Sequence, residues 1–268
     1  MASKIEDVVA SLVSSAPPGE LSQAATDLGA LLSGRANQSI INTALESYAT
    51  EEGAIVAGNY VISKHSKLAG STKYIDYVSG KAFNVDLKAN KVLDVEDHNV
   101  SDKVSSISYF DSLVKALNQY GEDHFPSLYA FNVIPDGSDL HIIIVGQRVN
   151  PDNFYTGQWR SHYVVSQGKD TINGDVSLDI HYYEDGNVRL TFGEKLKDTT
   201  VSENASAIVN AIDEFESTTS MTIVGKFEEL NQKSFKNLRR LLPVTRSKIQ
   251  WGKAIGNYRL GSDVVNKK

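Results

Sequence analysis

The sequence predicts an α+β fold, on three observations. Apolar residues recur at helical spacing through residues 4–50, alternate with a period of two between short turns in 128–192, and return to helical spacing across a proline-free run, 201–242. Together these place a small helical bundle ahead of an antiparallel meander, with a long helix across the sheet. The predicted organisation is 1–50 helical, 51–125 a small β/turn region with a helix, 126–242 the sheet and its helix, and 243–268 a basic amphipathic tail.

In the first segment, Ala16-Pro17-Pro18-Gly19-Glu20 punctuates the helices. Pro18 and Glu20 suit a first helical turn, where a missing N–H costs nothing and a carboxylate meets the positive dipole end. Leu21, Ala24, Ala25, Leu28, Leu31 and Leu32 then share one face. A third helix is predicted over 39–48, with Ile40, Ile41, Ala44 and Leu45 on its apolar side. Runs at 55–57, 60–63 and 82–85 read as short strands. Residues 105–125 are helical through Phe110, Leu113, Val114 and Leu117, and Pro126 ends them.

The β signal is clearest next. Residues 140–145 are almost solidly apolar, as for a strand covered on both faces. Val176, Leu178, Ile180 and Tyr182 alternate with Asp175, Ser177, Asp179 and His181. After an Asp185-Gly186 turn, Val188, Leu190 and Phe192 resume the pattern. The last helix is predicted to start at a Thr200/Glu203 capping box and to stop at Pro243, with Gly225 or Thr218-Thr219 as points of interruption.

Composition excludes several classes. The 268 residues are 41% apolar and 22% charged, ordinary for a globular protein. No window approaches the roughly 20 apolar residues that span a bilayer, and Glu6 and Asp7 fall where a signal peptide needs an apolar core. The absence of cysteine removes disulfides, thiolate metal sites and cysteine nucleophiles, so a cytoplasmic chain is expected. No P-loop, dinucleotide glycine run, His-Glu-x-x-His or nucleophile elbow is found, so neither an enzyme nor a cofactor is expected. The six histidines are scattered singly, and no metal site is predicted. His181 beside Glu184 and Asp185 reads as a strand residue on a polar face followed by a turn.

Charge is distributed unevenly. From Lys233 onward ten Lys/Arg face one acid, Asp263, whereas the preceding residues hold 17 bases against 32 acids. This asymmetry points to an electrostatic contact at one end of the molecule. A helix C-terminus accounts for Lys236, Arg239 and Arg240, but not for Arg246, Lys248, Lys253 and Arg259 beyond Pro243. Trp251, Ile255 and Tyr258 sit at i, i+4 and i+7, one helical face. Gly252 and Gly256 each cost such a helix about 1 kcal/mol, so it reads as a mobile arm that settles in a groove. The aromatic run 153–161, with Phe154, Tyr155 and Trp159, reads as a packing corner or subunit contact.

Four segments carry a resemblance: 16–20, 153–161, His181-Tyr182-Tyr183-Glu184-Asp185-Gly186-Asn187, and 238–251, with its Leu-Pro-Val-Thr-Arg-Ser-Lys-Ile run before Trp251. The chain resembles, end to end and in order, the alpha subunit of the heterodimeric F-actin capping protein, with a fungal cast. The resemblance is weakest between about 50 and 125.

It implies a three-helix stalk, a meander continued into the sheet of an obligate beta subunit, a long helix over it, and a C-terminal tentacle. It implies calcium-independent capping of barbed filament ends, with no reaction catalysed. Actin contacts carry over to Lys236, Arg240 and Arg246, with Arg239, Lys248, Lys253 and the apolar Trp251, Ile255 and Tyr258 as contributors. Lys236, Arg240 and Arg246 also carry over as the site where phosphatidylinositol bisphosphate competes with capping. Phe154, Tyr155, Trp159 and Tyr182 are expected at the subunit interface. Cytoplasm and cortical actin patches are the expected location. The competing reading of the same tail is an anionic-lipid-binding module or a scaffold without capping activity. Nucleic acid is disfavoured by the acidic body.

Overall fold

Three helices begin the chain because their apolar residues have only one another to cover them. In the computed structural model, which describes residues 4–32, 35–56, 59–184, 186–230 and 232, these are α1 (Ile5–Ser14), α2 (Leu21–Leu31) and α3 (Arg35–Glu52). Val9 and Val13 of α1 meet Ala25 and Leu28 of α2 and Ile41, Ala44 and Leu45 of α3 in a separate apolar cluster. Pro18 lies in the connecting turn rather than in a helix, and α2 starts only after Glu20. The reason is Gly19, whose φ of +81° breaks the helical path. The third helix is also longer than the predicted 39–48.

The segment that follows holds more strand than its sequence announces. A short hairpin, β1 (Ala54–Val56) and β2 (Tyr60–Ile62), precedes a three-stranded sheet of β3 (Tyr74–Asp76), β4 (Lys81–Asp86) and β5 (Lys91–Asp97). Strand β5 was not predicted: Leu93 and Val95 alternate with Asp94 and Glu96 for only four residues, and both apolar side chains stay exposed. The short helix α4 (Ser101–Val104) and a turn precede α5 (Phe110–His124), so the predicted 105–125 helix starts five residues later than expected.

The meander forms as its period-two pattern requires. Strands β6 (Leu128–Asp136), β7 (Asp139–Asn150), β8 (Tyr155–Ser166), β9 (Thr171–Tyr182) and β10 (Val188–Thr200) pair antiparallel in sequence order, with a 3-10 turn (Pro151–Asn153) between β7 and β8. Residues 140–145 are buried on both faces, as their uniform hydrophobicity demands. One face meets α5 and α6 (Ala205–Glu229). The opposite face meets the β1–β2 hairpin, the three-stranded sheet and the helical bundle. On that second face, the Asn132 amide donates to the Ile75 carbonyl at 3.0 Å and accepts from the Tyr77 N–H at 3.1 Å, joining β6 to β3.

Helix α6 starts later than the capping box predicted. Asn204 is the cap, its side chain accepting from the Ala207 N–H at 2.9 Å. Glu203 instead accepts from the backbone N–H of Gly168. Neither Thr218-Thr219 nor Gly225 interrupts the helix, which is about 37 Å long. Its predicted continuation through Leu242 lies outside the described residues.

Candidate functional site

The basic contacts expected at Lys236, Arg239, Arg240, Arg246, Lys248 and Lys253, and the apolar ones at Trp251, Ile255 and Tyr258, lie outside the described residues. What the structure gives is the platform that carries them, namely α6 and its anchorage. Residues Ala205, Ile208, Ile212, Thr219 and Ile223 form the buried stripe of the helix, and Glu216 continues it at 0% exposure. A carboxylate there must be satisfied. It accepts from Tyr120 at 2.7 Å, from Tyr163 at 2.9 Å and from the Ser161 hydroxyl. Three donors from α5 and β8 therefore converge on one side chain of α6. Burial beside that carboxylate drives the Tyr163 hydroxyl well above the ordinary phenol range, so it stays a donor. The only hint of this group in sequence was an acid in register with a core stripe.

A second polar assembly holds the helical bundle to the sheet. His181 Nδ1 lies 2.7 Å from a Glu20 oxygen and its Nε2 lies 2.7 Å from Asn187 Oδ1. His181 is thus on the polar face of β9, as predicted, but only 7% exposed, because the loop at 16–20 covers it. Its acidic partner is Glu20 rather than Glu184, and Asp185 lies outside the described residues. Nearby, Arg189 grips Asp179 through Nε at 2.9 Å and a second nitrogen, and also donates to the Ser15 and Ala16 carbonyls. The guanidinium therefore closes both the end of α1 and the β9–β10 pair, and the Asp179 bond raises its already high pKa further. Three of the distinctive sequence segments, 16–20, 153–161 and 181–187, meet at this corner: the Tyr183 N–H donates to the Phe154 carbonyl at 2.9 Å.

The aromatic residues expected at a subunit contact divide in two. Trp159 is 1% exposed within the chain's own core, its indole N–H donating to Ser161 Oγ at 3.0 Å, and Tyr155 is 7% exposed. Alternation along β8 turns both toward the α6 face, where they already find cover. Phe154 is exposed and Tyr182 half-buried at the end of the sheet. Strand β10 forms one edge of the sheet and is largely exposed along its length.

Three histidines that are far apart in sequence also converge. His141 of β7 and His162 of β8 place Nδ1 and Nε2 2.9 Å apart, and the His65 ring stacks on His141 at 3.9 Å. Burial lowers all three, His162 to about 4, so each is neutral at pH 7.

Comparison with known proteins decides the family. The sequence profile described as F-actin capping protein alpha subunit matches residues 9–263. The chain belongs to the F-actin capping protein alpha subunit family. The F-actin-capping protein subunit alpha of Debaryomyces hansenii is 55% identical over 264 residues, covering 98% of each chain. The Candida albicans protein of the same name is 49% identical over the whole of both chains, and that of Saccharomyces cerevisiae 35% identical over 99% of each. The fold is shared with a structure titled homodimeric actin capping protein alpha subunit from Plasmodium berghei, at a TM-score of 0.72 and 20% identity, over 90% of this chain and 98% of that one. Among the described residues of this capping-protein alpha chain, no helix is long and apolar enough to cross a membrane.

Proposed function

We propose that this chain is the alpha half of a heterodimer that caps the barbed ends of actin filaments, blocking both addition and loss of subunits without catalysing a reaction. The observation that carries this reading is the 55% identity, end to end, with a protein named F-actin-capping protein subunit alpha. The basic tail supplies the contact: Lys236, Arg240 and Arg246, helped by Arg239, Lys248 and Lys253, meet the acidic filament end and speed encounter. Trp251, Ile255 and Tyr258 hold the tail in a groove once it has arrived. A partner beta subunit covers the long exposed edge of β10 and the ring of Phe154. Phosphatidylinositol bisphosphate competes for Lys236, Arg240 and Arg246 and lifts the cap. The complex works in the cytoplasm, at cortical actin patches.

The test is seeded elongation at barbed ends, using the chain co-expressed with its beta subunit beside a Lys236→Ala, Arg240→Ala, Arg246→Ala variant of the same folded dimer. Substoichiometric arrest by the parent, lost in the variant, supports both the activity and the basic contact. Arrest by both keeps the activity and removes these residues from it. Failure of both to arrest growth overturns capping. The Plasmodium berghei relative is homodimeric, so the mass and composition of the purified complex decide between a second copy of this chain and a beta subunit.

A further inference from the structure

The cluster of His65, His141 and His162 lies away from the bundle corner, and the architecture gives it a shape that packing alone does not require. His141 and His162 sit on neighbouring strands, on the same face: Ile143 pairs with His162 and His141 with Val164, so the two imidazoles are diagonal neighbours. His65 comes from a different layer, the turn after β2. That turn is fixed by five bonds between Ser63 and Ser66, at 3.0 to 3.3 Å, both residues being buried. Two layers of the fold thus present three imidazoles to one point. One ring nitrogen from each lies within 4.8 Å of those of the other two.

Two features of this cluster are unexplained by a purely structural role. His65 Nε2 is buried and finds no hydrogen-bond partner, an arrangement that is rare for a buried polar atom. The contact between His141 Nδ1 and His162 Nε2 can hold only one proton between two basic nitrogens. We propose that His65, His141 and His162 bind a divalent transition-metal ion, zinc in the first instance. A metal ion would give the orphaned nitrogen a partner and would take the place of the shared proton.

The chemistry of the donor set selects the ion. Three neutral imidazoles suit zinc, copper(II) or nickel and are poor ligands for magnesium or calcium, which demand oxygen. Their low basicity in this site keeps the lone pairs free at neutral pH. A tetrahedral zinc ion holds its nitrogen ligands roughly 3.3 Å apart, from bonds of about 2.0–2.1 Å. Binding therefore spreads the His141 and His162 nitrogens slightly from their present 2.9 Å and sets the His65 nitrogen at a like distance from both, by rotation of the half-buried His65 and His162 rings. Asp136 Oδ2, 3.9 Å from His141 Nε2 on an exposed side chain, stands where it can orient that ring. Lys64 and Arg160 are the neighbouring cations, and their repulsion argues for moderate rather than extreme affinity. Binding would fasten the β2–β3 turn to β7 and β8.

The probe is zinc chloride alone, titrated by calorimetry into the chelator-treated full-length protein together with whatever subunit co-purifies with it. Parent protein is compared with His65→Gln, His162→Gln and a His98→Gln control. The expected result is one zinc ion per chain, weakened roughly 100-fold by either cluster substitution, more than loss of an orienting group alone brings about at the low end, and unchanged in the control. Cobalt(II) should give the visible bands of a tetrahedral site in the parent and the control, and in neither cluster variant. Should His162→Gln fail to fold, His65→Gln decides, because it lies on a turn outside the strands. Less than one ion per chain, or binding indifferent to His65→Gln, overturns the proposal.

Discussion

Glu216 of α6 and Tyr163 of β8 meet as a carboxylate and a phenol 2.9 Å apart, both at 0% exposure. With Tyr120 and Ser161 on the same carboxylate, this side chain is a polar rivet through an apolar interface. Replacing it with alanine strands three buried hydroxyls, each worth about 1–3 kcal/mol when unsatisfied. Glu216→Ala is therefore expected to destabilise by about 3 kcal/mol or more. Glu216→Gln keeps an acceptor oxygen and should lose about half as much. Urea unfolding of the purified complex measures both, and equal losses would show that the ionised carboxylate with both its oxygens, rather than one acceptor of the right shape, is what the three donors require.

Arg189 has a different reach. Its guanidinium ties β9, through Asp179, to the carbonyls at the end of α1. Arg189→Ala should release the bundle locally, by about 1–3 kcal/mol, while the sheet stays closed. Hydrogen exchange is the direct readout: protection should fall across residues 5–32 and hold in β7 and β8. A uniform loss across the chain would contradict this division.

The ring of Phe125 lies over Gly146, where an added Cβ would come within 2.3 Å of it. Gly146→Ala must push a 4%-exposed ring out of the core. The expected cost is about 1–3 kcal/mol, read as a lower denaturation midpoint with an unchanged slope.

Asp76 is 6% exposed, and burial raises its pKa despite hydrogen bonds from Ser79 and Val78 that lower it. Since the folded value lies above the unfolded one, the native state holds more protons than the unfolded state in the window between them, and stability falls as pH rises through it. Asp76→Asn retains an acceptor for Ser79 and removes the charge. At pH 7 the variant should match or exceed the parent in stability. At a pH below the unfolded carboxylate value its advantage should vanish. A variant less stable than the parent at pH 7 would mean that the charge itself is needed.

Local pattern carried the reading of this fold far, and its failures have a common cause. Val176, Leu178 and Ile180 announced β9 because one face of that strand is buried and the other is not. Strand β5 gave only a four-residue signal: Leu93 and Val95 alternate with Asp94 and Glu96, but both stay exposed, so burial did not extend the pattern. Capping was misplaced by four residues because Asn204 competes with Thr200, and only the backbone path decides between them. The polar assemblies were invisible for a deeper reason. Glu20 and His181 are 161 residues apart, Tyr120 and Glu216 are 96 apart, and periodicity holds no record of such pairs. The histidine cluster is of the same kind, three single residues brought together by two layers.

The bond between Arg189 and the Ser15 carbonyl spans 174 residues of chain. On a ribosome adding roughly 5–20 residues per second, the first helices emerge about 10–30 s before their docking surface exists. During that interval they have only the small cluster of Val9, Val13, Ala25, Leu28 and Leu45 to hold them together. A nascent chain of this protein is thus exposed longest at its beginning, and its demand for chaperones should end when β10 clears the exit tunnel.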